Sequence, residues 1–145
     1  MEATATNIHA GRIDCLAAKG PLAAGQLPGC WVILHLEDSG QLLFTSGQSL
    51  LAGNWPLAGR QGFYCAFVPL FMPDKLARRI ERLSIFTAKP KWVVELSREQ
   101  EAAVSRIFEL LVAELTSGYA HKLDLMRNYV VQMIHFGLKN AGGRA

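Results

Sequence analysis

The chain changes character near its midpoint, and this division limits the folds that it can adopt. Residues 1 to 62 contain nine of the 13 glycines, and short apolar runs separated by turn residues follow one another there. Residues 97 to 140 instead carry the apolar spacing of two long helices, joined at Ser117-Gly118. We therefore predict an α+β protein in which a small antiparallel β-sandwich or barrel precedes a two-helix antiparallel hairpin.

Composition indicates one globular domain. The chain has 145 residues, half of them hydrophobic, which is enough for a single sizeable core. Only 19% of residues are charged and the mean hydropathy is +0.17, which excludes a disordered chain and suggests that some apolar surface meets a partner. The formal charge of +3 is too small and too dispersed to predict a nucleic-acid surface.

The cysteines and the amino terminus indicate a cytoplasmic protein. Cys15, Cys30 and Cys65 are odd in number and widely spaced, which argues against a disulfide framework or a zinc knuckle. The amino terminus has neither a basic start nor an apolar run, and no later stretch has the length of a bilayer span. We expect a soluble, cytoplasmic protein with no membrane partner.

The β-rich half is read from apolar runs between turns. The stretch from 17 to 29 is predicted to be loop, and turn signals recur from Ser46-Gly47 to Gly59 at short intervals, as in a sandwich or small barrel. The predicted strands are Asn7 to Cys15, Cys30 to Leu36, Gln41 to Phe44 and Gln61 to Val68. The second and third of these are expected to form a hairpin.

Two helix starts can be placed from capping residues. Asp74 is positioned to cap a short helix from Lys75 to Leu83, whose basic residues form a solvated face or, alternatively, contact phosphates. Ser97 with Gln100 forms a capping box that opens a helix running to about Thr116. The segment from 74 to 96 is otherwise read as a connector between a β-rich unit, 1 to 73, and a helical part, 97 to 141.

The two long helices differ in their apolar patterns. The first carries one stripe made of Val104, Phe108, Leu111 and Leu115, with Ile107 beside it. The second, from about Tyr119 to Asn140, has two apolar faces. One holds Met126, Val130, Met133, Ile134 and Gly137, and the other holds Leu125, Tyr129, Gln132 and Phe136.

A second apolar face needs a second contact. Either the first helix and the sheet take one face each, or the hairpin associates with another copy of the chain. In the second case we expect a homodimer whose interface is formed by Leu111, Leu115, Leu125, Tyr129, Gln132 and Phe136.

No residues are arranged for catalysis. His35 and Glu37 lie two apart on a strand and so share a face, but no other histidine has the spacing to complete a metal site. Cys65 is flanked by apolar residues and is read as an inert buried thiol. Because phosphate-loop and nucleophile-elbow motifs are missing too, we predict no catalytic residue, no metal and no cofactor.

Aromatic side chains on or beside the strands are the candidate ligand site. A small barrel can enclose one apolar ligand among such residues, although ordinary core packing explains them as well. Alternation puts Trp31, Ile33 and His35 on one face of their strand, and it puts Tyr64 on the face opposite to Phe63 and Cys65. The candidate ligand-binding residues are Trp31, Ile33, His35, Phe44, Trp55 and Tyr64.

The order of these parts resembles a known family. The strand Gly62-Phe63-Tyr64-Cys65-Ala66-Phe67, then Phe71-Met72, Leu83-Ser84-Ile85-Phe86 and Leu96-Ser97-Arg98-Glu99-Gln100 opening the two-helix tail, are similar to the amino-terminal sensor and dimerisation region of AraC-type transcription regulators. The resemblance covers roughly Cys30 to Asn140. It implies a cupin-like barrel that binds a small effector, helices that dimerise, and DNA binding only through a carboxyl-terminal part.

The chain departs from that family in two respects. It stops at Arg144-Ala145, where the DNA-binding part is expected to begin, and it shows fewer strands than a complete cupin barrel, without the second histidine of the metal-binding cupins. Two other hypotheses remain. One is a small cupin-fold enzyme, an isomerase or metal-dependent oxygenase, built around His35, Glu37 and Tyr64. The other is direct nucleic-acid binding through Arg78, Arg79 and Arg82.

Overall fold

A single antiparallel sheet and four helices make up the described part of the chain. The computed structural model describes residues 7–13, 29–52, 60–89 and 91–140. The strands are β1 (Ile8–Arg12), β2 (Trp31–Leu36), β3 (Gln41–Ser46), β4 (Gly62–Phe67) and β5 (Trp92–Glu95). The helices are α1 (Gly47–Ala52), α2 (Asp74–Leu83), α3 (Arg98–Leu115) and α4 (Lys122–Asn140), with a 3-10 turn at Pro69–Phe71. The predicted α+β class is confirmed.

The strands form an open sheet in the order β1-β4-β2-β3-β5. The predicted hairpin of β2 and β3 is present, with Ile33 opposite Phe44, and Gly40 takes the positive φ of 66° in its turn. Every neighbouring pair is antiparallel, and β1 and β5 lie at the two edges. The described strands do not close into a cupin-like barrel.

Alternation along the strands divides the core in two. On one face, Ile33, Phe44 and Cys65 belong to a large buried cluster that also includes the buried residues of α3 and α4. On the other face, Val32, Leu43 and Tyr64 join a smaller cluster with Leu50 of α1. Because both faces are apolar and covered, β2 and β4 are buried along their whole length.

The long helices bury the stripes that the sequence predicted. Val104, Phe108 and Leu111 are the buried residues of α3, and α4 buries the complete first face from Met126 to Gly137. The capping box of Ser97 and Gln100 is present, with both reciprocal hydrogen bonds. The helices α3 and α4 contact each other, and Lys122 Nζ donates to the carbonyl oxygens of Leu115 and Ser117 at their junction.

Three local predictions were wrong. Residues 47–52 form α1 although Ser46-Gly47 indicated a turn, and Trp92–Glu95 forms an edge strand inside the segment read as a connector. Asp74 does not cap α2. It is the first helical residue, after Pro73 at the N-cap position, and its carboxylate accepts from Arg78 Nη2 at 2.7 Å. The predictions for 17–28 and for the turns at 53–59 lie outside the described residues.

Candidate functional site

The predicted ligand-binding residues do not form one group. Trp31, Ile33, His35 and Phe44 share the sheet face that α3 and α4 cover. Tyr64 points to the opposite face, as alternation indicated, and Trp55 lies outside the described residues. Ile33 and Phe44 have no exposed surface, so in this structure they pack the core rather than line an opening.

His35 lies in the interface between β2 and α3. Its side chain is 1% exposed, and its ring lies beside the stacked rings of Phe63 and Phe108, with centroids 6.5 and 6.3 Å away. Nδ1 is 3.5 Å from Ser105 Oγ, and Nε2 is 3.6 Å from Glu101 Oε2, which is too long for a hydrogen bond. Both Nε2 and Oε2 are buried and lack a hydrogen-bond partner. His35 of β2 and Glu101 in the first turn of α3 therefore face each other just beyond hydrogen-bonding distance.

The electrostatic balance at His35 favours the neutral ring. Burial is the largest effect and lowers the pKa of His35 below its ordinary value. The carboxylates of Glu101 and Glu37 act in the opposite direction, whereas the Arg12 guanidinium adds to the lowering of that pKa. Desolvation outweighs the nearby carboxylates, so the imidazole is neutral at pH 7.

Glu37 is engaged with Arg12 of β1. The guanidinium donates to both carboxylate oxygens, at 3.2 and 3.1 Å, and also lies over the Phe63 ring with Cζ 4.8 Å from its centroid. Within the part of the chain that the structure describes, no three His, Cys, Asp or Glu side chains lie close enough to hold a metal ion. Tyr64, on the other side of the sheet, does not join His35 and Glu37 in a common site.

A cleft of about 470 Å³ opens beside Trp31. The indole stacks on the Phe86 ring, with centroids 5.0 Å apart and planes 2° from parallel, and it is 8% exposed. Around it, the turn after β4 contributes Pro69, Leu70 and Met72, and one side of α2 contributes Asp74, Ala77, Arg78 and Glu81. The cleft is within the size range of small-molecule sites. Of the predicted ligand-binding residues, it contains Trp31.

The thiols are unsuited to nucleophilic chemistry. Cys65 is fully buried, and burial raises its pKa far above the ordinary thiol value. Cys30 is also buried, with its pKa raised for the same reason. Cys15 lies outside the described residues.

The second apolar face of α4 is partly covered. Leu125, Tyr129 and Phe136 are half-buried, and Gln132 between them is exposed. This face lies beside α3, because Asn140, one turn beyond Phe136, contacts Gln100 of α3 through their side-chain amides at 3.4 Å. On α3, Leu115 is half-buried, whereas Leu111 is fully buried in the core. The groove between the two helices therefore retains partly exposed apolar residues.

The basic residues of α2 do not converge on a common site. Arg78, Arg79 and Arg82 are exposed, and Arg78 is paired with Asp74 one turn earlier. This arrangement is typical of a solvated helical face.

Two charged residues near His35 were missed by the sequence analysis. Glu101 follows the capping box and gave only a helix signal, and Arg12 lay in a weakly alternating strand. Tertiary packing brings both residues near His35, across sequence separations that local spacing does not encode. The one available signal was that β2 is an apolar strand with a single histidine, which predicts a buried polar contact.

Comparison with known proteins found no matching family model, curated protein or solved structure. Among the described residues, no helix combines the length and the apolar character needed to cross a membrane.

Proposed function

We propose that the chain is the effector-sensing and dimerisation part of an AraC-type transcription regulator. The order of its elements supports this assignment: a hairpin-based antiparallel β unit, a short basic helix, and two long helices in contact with each other. The proposal includes a cupin-like β unit, a two-helix dimerisation hairpin and a cytoplasmic location. DNA binding belongs to a part outside this chain.

The groove between α3 and α4 is the observation that carries this proposal. One face of α4 is fully used by the core, yet Leu125, Tyr129 and Phe136 on its second face stay half-exposed beside α3. Burying apolar area stabilises by about 25 cal/mol per Å², so two such grooves facing each other favour association. Tyrosine and phenylalanine are also among the residue types that are enriched at subunit interfaces.

In the proposed mechanism, an effector shifts the population of two arrangements. The ligand binds the β unit more tightly in one arrangement of α3 and α4 than in the other. Through Phe108 and Glu101, α3 is in direct contact with the sheet at His35, so a change in the β unit reaches the dimerisation helices without a separate connector.

Sedimentation of interface variants tests dimerisation. Tyr129→Glu combined with Phe136→Glu places charges in the groove and is expected to give a folded monomer, whereas the wild-type chain sediments as a dimer. Because Tyr129 and Phe136 also pack partly on the core, Gln132→Glu provides a second variant at an exposed position of the same face. It is expected to weaken the dimer without changing the circular dichroism spectrum.

His135→Glu is the matched control. His135 is exposed next to Phe136 but lies about 100° further round the helix, so the substitution is expected to leave the dimer intact. A wild-type chain that remains monomeric at high concentration would contradict the proposal. Dimers that persist in both the double variant and Gln132→Glu would exclude this groove as the interface.

A further inference from the structure

The cleft beside Trp31 has the composition of a ligand site. Its lining has one aromatic residue, Trp31, apolar residues that include Leu70 and Met72, and three charged residues of α2. Leu70 is 83% exposed, so an apolar wall of the cleft faces solvent without a cover. A concave apolar site with a few polar groups at its rim is the usual form of a small-molecule pocket.

Some of the charged residues of α2 line this cleft and others do not. Asp74, Arg78 and Glu81 lie on the cleft side, whereas Lys75, Arg79 and Arg82 are outside its lining. Arg78 is paired with Asp74, so these two charges neutralise each other. Glu81 forms no ion pair with the described residues, and its carboxylate is left as the net charge of the lining.

The unpaired carboxylate decides which ligand charge the cleft prefers. At about 100° per residue, Lys75, Arg79 and Arg82 lie roughly a quarter turn or more round α2 from the side that lines the cleft, and their exposed charges are screened at physiological salt. Glu81 instead acts at contact distance from anything in the cleft. An indole is also the aromatic side chain that best accommodates a cation.

We propose that this cleft binds a small organic cation, an apolar or aromatic body carrying an ammonium group. The body packs on Trp31, Leu70 and Met72, and the ammonium group lies against Glu81 at the rim. The cleft lies at the Trp31 end of β2, and His35, near the other end of the same strand, is not part of its lining. The site depends on the proposed function only if its ligand is the effector, because binding itself does not require dimerisation.

The cleft is also connected to α4. Arg127 of α4 donates from Nε to the carbonyl oxygen of Phe71 at 2.6 Å, and its Cζ lies 5.0 Å from the centroid of the Phe71 ring. Phe71 stands between Leu70 and Met72, two residues of the cleft wall. A ligand that displaces this wall therefore acts directly on the helix that carries the proposed dimer interface.

Calorimetric titration with three probes of equal shape tests the inference. Phenethylamine is expected to bind more tightly than neutral 2-phenylethanol, and phenylacetate more weakly than both. Glu81→Gln should remove the preference for the amine, a loss of about fivefold, as expected for one exposed charge pair. Leu70→Ala should weaken the amine and the alcohol alike. Both residues are exposed, so the variants are expected to fold.

Glu109→Gln on the exposed side of α3 is the charge-matched control and should bind as the wild type does. The inference is overturned if the amine does not bind, if phenylacetate binds more tightly, or if the amine affinity is unchanged in Glu81→Gln. Amine binding to a chain that sediments as a monomer would refute the proposed dimerisation and leave this site standing.

Discussion

The backbone of Gly137 in α4 lies directly against the ring of Phe44 in β3. A Cβ atom at Gly137 would be 2.5 Å from Phe44 Cε1 and 3.3 Å from Ile85 Cδ1. The Gly137 carbonyl also accepts from Trp92 Nε1 at 3.0 Å, which fixes the helix at this distance from β5. Close approach of α4 to the sheet therefore depends on the absence of a side chain at this position.

Gly137→Ala is expected to destabilise the protein by up to about 2 kcal/mol. Alanine gains about 1 kcal/mol in helix propensity, but overpacking a rigid core costs about 1–3 kcal/mol, and Phe44 is fully buried. Urea denaturation measures the difference. In a Phe44→Leu background, Gly137→Ala should cost less stability than it does in the wild-type protein, because the smaller side chain makes room for the new methyl group.

Gly118→Ala is the matched control for that series. No atom lies within 4 Å of a Cβ built at Gly118, so the free energy of unfolding should change by less than about 0.5 kcal/mol. Equal losses at both glycines would contradict the packing explanation.

Stability is expected to fall as the pH is lowered from 7 to 5. Burial lowers the pKa of His35 in the folded state, so the unfolded chain binds more protons near pH 6. Burial lowers the pKa of His9 as well, which adds to the same dependence. The free energy of unfolding should therefore rise with pH in this window, by at most about 1.4 kcal/mol per pH unit for each histidine.

Variants of His35 and Glu101 test whether this pH dependence arises at the contact between β2 and α3. His35→Gln should flatten the pH profile, and Glu101→Gln should steepen it, because the Glu101 carboxylate raises the pKa of His35. His121→Gln, at an exposed position, is the control and should follow the wild-type profile. A wild-type profile that is flat between pH 7 and 5 would contradict the neutral, buried state of His35.

Ser97→Ala is expected to cost about 1 kcal/mol of stability. Its hydroxyl accepts from the Gln100 amide at 3.2 Å, and Gln100 Oε1 accepts from the Ser97 amide at 2.9 Å. Gln100→Glu retains the capping box and loses only the long, exposed amide contact to Asn140, so it should be nearly neutral. Thermal unfolding of the two variants separates loss of the cap from a general effect of substitution in this turn.

Arg127→Leu is expected to destabilise the contact between α4 and the turn after β4, by about 1–3 kcal/mol. It removes a charged hydrogen bond to the Phe71 carbonyl and the stacking on the Phe71 ring. Arg127→Lys should recover only part of this, since an ammonium group lacks the planar fork. Arg106→Leu, at an exposed position of α3, is the comparison and should remain close to wild type.

The strongest local patterns predicted the structure well. The alternation of Trp31, Ile33 and His35 was right, and so were the five residues of the buried face of α4, because each reflects a period that the backbone imposes over many residues. The capping box was predicted because its two partners lie within one turn. Such signals depend on neighbours along the chain and need no knowledge of the tertiary fold.

Contacts between distant residues were not predictable in this way. The strand β5 has only four residues and exists through its pairing with β3, so its sequence alone read as a connector. Glu101 faces His35 because α3 packs over β1 and β4, next to β2, and the side of α2 that lines the cleft is defined by the position of Trp31. These parts of the candidate sites follow from packing, which single-sequence patterns do not contain.

The order of the strands also determines how the chain reaches its native state. The β2–β3 hairpin forms from neighbouring residues, but β3 meets β5 through Gln41 and Glu95, which are 54 residues apart, and β1 meets β4 through Ile8 and Phe67. Long-range pairings require costly loop closure and slow folding to milliseconds or seconds. The two edge strands are thus expected to dock last, and refolding should be limited by their closure rather than by formation of the helices.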